Sequence, residues 1–106
     1  MKFMISQPMA GKTIEQIRAD REGAVRILEA RGHTVLDSVF TGPAPESIDN
    51  VALWYLAHFL EAMAECDGVL FMPGWDEARG CRIEYEVADA YGLVTLFMSD
   101  LMGEEK

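Results

Sequence analysis

A chain of 106 residues, half of them hydrophobic and a quarter charged, has room for one packed domain and is neither a disordered nor a fibrous polymer. Eighteen acidic against nine basic side chains leave a formal charge of −9. A surface of that sign repels phosphate backbones, which excludes nucleic acid polymers and anionic membrane as bulk partners but leaves a small molecule open. No apolar run approaches the ~20 residues of a membrane span, and Met1-Lys2 leads into a strand-like segment instead of a signal-peptide core. The two cysteines, Cys66 and Cys81, have neither zinc-ligand nor disulfide-framework spacing. A cytoplasmic protein with reduced thiols, no metal and no cofactor is expected.

Lys2–Ser6 (KFMIS) reads as a strand ending at Gln7-Pro8, because proline cannot continue a ladder. Thr13 and Gln16 have the spacing of a capping box. Ile14, Ile17, Ala24, Val25 and Leu28 then recur at helical period up to Gly32. His33–Leu36 predicts a second strand, and Thr41–Glu46 (TGPAPE) an exposed loop. From about Ser47 to Glu65 the pattern is helical again, but Val51, Leu53, Trp54, Tyr55, Leu56, Phe59, Leu60 and Met63 point to nearly every side. A domain this small has little interior to bury such a helix, so a homodimer or higher homo-oligomer through it is expected.

Asp67-Gly68 turns into Val69–Met72, a third strand that ends at Pro73-Gly74-Trp75. A third helix opens at Gly80 with Ile83, Val87, Ala90 and Tyr91 on one face, and Leu93–Met98 is a fourth apolar run. Residues 1–98 thus read as one domain and 99–106 as a flexible tail. Strands that alternate with helices, each an unbroken apolar run, predict an α/β fold. The expected form is a small three-layer, Rossmann-like parallel sheet of about four strands in the order 2-1-3-4, with helices on both faces.

In such a sheet, ligands bind beyond the carboxyl ends of the strands where the winding reverses, here between strands one and three. The loops that meet there are Gln7–Lys12 and Pro73–Arg79. Ser6–Thr13 (SQPMAGKT) is one residue from a phosphate-cradling loop, with Ser6 in place of the first glycine. The third strand, however, ends in Met72-Pro73 without a carboxylate to organise Mg²⁺, which argues against nucleoside triphosphate hydrolysis. What survives is an anion site formed by Lys12 and the first amides of the helix, or else a plain turn and cap at Gly11 and Thr13. Glu84 lies one turn inside the third helix, at the crevice mouth, where burial raises a carboxyl pKa and the helix N-terminus lowers it. Trp75 and Tyr85 either stack a planar base or form a core edge. Arg21 interrupts the buried stripe of the first helix, so it snorkels or pairs with a carboxylate.

The strand end ISQPM (Ile5–Met9), the turn Cys66-Asp67 and above all MPGWDEARGCRIEYEVADAYGL (Met72–Leu93) resemble the nucleoside 2-deoxyribosyltransferase-like superfamily. Its short phage and bacterial branch is the most similar. The resemblance implies that Glu84, with Gly80 four residues before it and Ala88 four after, is the nucleophile of a retaining N-glycosidase or transferase. It also implies that Gln7–Gly11, including Pro8 and Met9, binds the substrate's 5′ end, and that a neighbouring subunit completes the site. Asp67, Asp76 or Arg21 would assist Glu84, with Ser6, Lys12, Trp75 and Gly80 contacting a nucleoside or its monophosphate.

Three positions depart from the superfamily's pattern. The aspartate of the second helix is missing from His58-Phe59-Leu60, the position six before the nucleophile is Ala78, and the aromatic hydroxyl of the first strand is replaced by Phe3. A catalytically inactive nucleotide- or nucleoside-binding module is therefore the alternative.

Overall fold

The computed structural model of the chain describes residues 1–37 and 43–104. Ser38 and the Thr41 and Gly42 of the expected loop lie outside the described residues, as do Glu105 and Lys106 of the expected tail. Lys2–Ser6 forms β1, Ile14–Ala30 α1, Thr34–Val35 β2, Val51–Met63 α2, Gly68–Phe71 β3, Arg79–Ala90 α3, Val94–Phe97 β4 and Met98–Glu104 α4. The strands make one parallel sheet in the order β2-β1-β3-β4. This is the predicted three-layer α/β architecture.

The reason the strands read as unbroken apolar runs is visible in their alternation. Phe3, Ile5 and Leu70 face one core with Ala24 and Leu28 of α1. Met4, Val69 and Phe71 face a second with Met63 at the end of α2 and Ala88 of α3. A central strand covered on both faces has no polar side to show.

Local signals match local structure where they are self-contained. Thr13 caps α1 and forms the predicted box: its hydroxyl accepts from the Gln16 N–H, and the Gln16 side chain accepts from the Thr13 N–H. Gly68 meets Phe3 and Val94 so closely that a Cβ there would lie 2.7 Å from the Val94 carbonyl oxygen and against the Phe3 ring. Backbone of a paired strand cannot retreat cheaply. Gly68→Ala is therefore expected to cost about 2 kcal/mol or more, read as a lower urea midpoint at unchanged slope.

Three expectations are corrected. The second helix begins at Val51 and not near Ser47, because the Asn50 carboxamide caps it by accepting from the Leu53 N–H. On α3 the buried stripe is Cys81, Glu84 and Ala88, while Ile83 and Val87 are half-buried and Ala90 and Tyr91 exposed, Tyr91 at 82%. The expected face of Ile83, Val87, Ala90 and Tyr91 is thus turned by about one residue from the face that is buried. The flexible tail expected from Ser99 is instead α4 for most of its length. Met98 and Leu101, three apart on one helical face, are buried in the α1-side core and hold it down.

Candidate active site

β1 and β3 are neighbours, and their following helices cross to opposite faces of the sheet, so their outgoing loops part and leave a crevice. Ser6 is the last residue of β1. Its hydroxyl, 2% exposed, donates to Oε2 of Glu84 at 2.6 Å. That short bond joins a strand end to the second turn of α3, and Glu84 and Cys81, but not the expected Ser6, line a cleft of about 400 Å³.

Glu84 is 4% exposed. Burial pushes its carboxyl up to about 7, and the donated hydrogen bond from Ser6 opposes only part of that rise. Burial also pushes the Cys81 thiol up, with its hydrogen-bond contact to Ser6 acting against this and the Glu84 charge reinforcing it. Cys81 is accordingly a poor nucleophile, whereas Glu84 divides near neutrality between acid and carboxylate.

The β1–α1 loop supplies the second wall through Gln7, Pro8 and Met9. Gln7 is 5% exposed and donates its Nε2 to the Ile17 carbonyl at 2.9 Å, which ties the loop to α1. Its Oε1 has no hydrogen-bond partner among the described residues. Gly80 lies on the α3 side of the cleft.

Several expected members stand elsewhere. Asp67 is at the wrong end of the sheet: its Oδ2 accepts from the Lys2 N–H at 2.7 Å, at the start of the strand whose last residue holds Glu84. The four residue steps between them span about 13 Å. Asp76 is exposed in the short 3₁₀ turn Trp75–Glu77 and does not line the cleft; its neighbour Glu77 does. Trp75 packs on Phe71, Tyr85 and Phe97, with ring centroids 5.0 to 5.4 Å away, and so serves the core edge instead of a ligand.

Lys12 is drawn off by Asp20, at 2.8 Å, and borders a smaller hollow beside Gln7 and Pro8. Gly11 takes a left-handed φ of +76° in the exposed turn before α1 and lines neither space. Arg21 pairs with Asp37 at 3.5 Å, and burial lowers its pKa while Asp37 opposes this. It belongs to a different hollow of about 640 Å³ along α1 and β2, walled by the exposed charges Glu15, Arg18 and Glu22. Although larger, that hollow has no group comparable to Glu84.

Sequence reasoning missed the α2 wall, formed by Tyr55 and Phe59, and the pair Glu77 and Arg79 at the mouth. The i, i+4 spacing of Tyr55 and Phe59 could have indicated a shared face. Only the rotation of α2 against α3 decides which face meets the cleft.

Among the described residues no helix is long and apolar enough to cross a membrane, and no group of three or more His, Cys, Asp or Glu side chains could hold a metal ion. No curated protein and no solved structure matches the chain. A family model described as a domain of unknown function, DUF4406, does match, over residues 1–97, and the chain belongs to that family.

Proposed function

We propose that the protein cleaves or transfers the N-glycosidic bond of a deoxynucleoside or its 5′-monophosphate, with Glu84 as nucleophile. The observation that carries this reading is the buried Glu84 carboxylate, held by Ser6 at 2.6 Å and lining a cleft at the strand ends. In the first step a Glu84 oxygen bonds to the anomeric carbon as the carbon–nitrogen bond breaks. The electron pair leaves with the base, which takes up a proton. Water, or the nitrogen of a second base, then attacks the anomeric carbon and returns Glu84 as carboxylate. A panel of deoxynucleosides and their monophosphates, with and without an acceptor base, tests the reading by chromatography of released and exchanged base beside Glu84→Gln.

The second reading is a nucleoside-binding module without turnover. It is favoured by the separation of Asp67 from the cleft and by the outward position of Asp76, since the groups expected to orient a sugar are then missing. Saturable binding of panel members without base release would establish it.

The reading includes a homodimer through α2, supported by Leu53 at 57% and Val51 at 46% exposure on an otherwise apolar helix. Leu53→Glu is expected to halve the mass found by sedimentation equilibrium, and an unchanged mass would remove α2 from the interface. A cytoplasmic setting fits the free thiols Cys66 and Cys81.

A further inference from the structure

On the reading that the cleft holds the substrate of an N-glycosidic reaction, we propose that it selects by charge, with Glu77 as the specificity-determining residue. The uncharged deoxynucleoside is taken and its 5′-monophosphate is turned away. The charged side chains that line the cleft are Glu77, Arg79 and Glu84. With Glu84 ionised, as an attacking carboxylate must be, two carboxylates stand against one guanidinium, on a chain whose formal charge is −9. A 5′-phosphate would bring about two further negative charges into this lining. A nucleoside brings none, and Tyr55, Leu56 and Phe59 of α2 offer its base ring and alkyl surface.

Cations and donors close by are engaged elsewhere. Lys12 is held by Asp20 at 2.8 Å and does not line the cleft. At the start of α1 the Thr13 N–H donates to the Gln16 side chain, the Gln16 N–H to the Thr13 hydroxyl and the Lys12 N–H to the Met9 carbonyl, while Glu15 adds a carboxylate to the first turn. Gln7 commits its Nε2 to the Ile17 carbonyl. The atom it leaves without a partner among the described residues, the buried Oε1, is an acceptor and so offers nothing to an anion. A phosphate in the cleft would therefore find Arg79 as the one cation among the lining residues, two positions from Glu77.

Glu77 is exposed in the 3₁₀ turn Trp75–Glu77 and belongs to neither core, so its charge can be changed without disturbing the packing. Glu84 cannot serve the same comparison, because the proposed ester forms on it. Asp76 supplies the control: it is the exposed neighbour of Glu77 and does not line the cleft.

The test is a titration of the full ¹⁵N-labelled chain with a deoxynucleoside and with its 5′-monophosphate, followed through the amide shifts of Ala78, Gly80 and Cys81 at the cleft. The nucleoside is expected to bind at least about tenfold more tightly at low ionic strength, and the ratio should shrink as salt is raised to about 0.5 M, where charges are screened within a few ångströms. Glu77→Lys should bring the two dissociation constants to within about threefold, Glu77→Gln part of the way, and Asp76→Lys should leave most of the ratio in place. Monophosphate binding as tight as nucleoside binding, or equal effects of Asp76→Lys and Glu77→Lys, would overturn the assignment. So would a failure of every nucleoside to bind, which removes the proposed reaction as well. Preferential nucleoside binding without base release removes only the reaction, whereas turnover of the monophosphate ahead of the nucleoside removes only the selection by charge.

Discussion

Glu84→Gln is expected to lower base release by on the order of 10³-fold or more, because a carboxamide cannot form and release the sugar ester. The pH profile of the unsubstituted protein carries the sharper information. A nucleophile must be ionised, and burial has pushed the Glu84 carboxyl up to about 7. kcat/KM should therefore rise with pH through about 7 and fall roughly hundredfold from its plateau by about pH 5. Base release that survives in Glu84→Gln would remove Glu84 from the chemistry. A rate that instead falls as pH rises through 7 would make Glu84 a proton donor and require another nucleophile, for which Glu77 is the other carboxylate lining the cleft.

The same buried carboxyl makes the fold sensitive to pH. Its pKa rises from an ordinary 4.5 to about 7 on folding, so the folded chain holds this proton more tightly than the unfolded one. The stability contributed by the neutral group is fully present below pH 4.5 and is lost as pH rises through about 7. The difference corresponds to about 3 kcal/mol, a large share of the total for so small a domain. Other groups titrate over the same range, and comparison with Glu84→Gln isolates this one. The unsubstituted protein should lose about 3 kcal/mol relative to the variant between pH 4.5 and 8.5 in parallel urea denaturations. A difference between the two that does not change with pH would mean that Glu84 titrates like a solvated side chain.

Taken together, the two expectations describe a compromise at one position. If Glu84 acts as the proposed nucleophile, its ionisation in a buried position costs folding energy at the pH where it works, and Ser6 returns part of that cost through a charge-assisted hydrogen bond. Glutamine at position 84 would relieve the penalty and lose the chemistry.

The architecture and the place of Glu84 at the crevice were legible in the sequence because both are written in local patterns. Apolar runs of strand length, the Thr13 to Gln16 box and the closing glycines at Gly32 and Gly92 each act within a few residues, and each has its expected form. The G-x-x-x-E spacing around Glu84 likewise needs only one helix. Asp67, Asp76 and Trp75 were misplaced because adjacency in sequence says little about direction in space. Asp67 precedes a strand, and the beginning of a parallel strand lies at the opposite end of the sheet from the site. Asp76 and Glu77 are neighbours, yet only Glu77 reaches the cleft.

What the sequence by itself determined is therefore the order of elements, the parallel sheet and the end of it where the cleft lies, since these follow from chain connectivity and short-range hydrophobic pattern. What only the tertiary structure decided is the rotation of α3 that buries Glu84 beside Cys81, the bond from Ser6 seventy-eight residues away, and the tyrosine wall from α2. Helix rotation depends on the summed packing of both cores, and the environment that sets a carboxyl's proton affinity is assembled from segments with no sequence proximity.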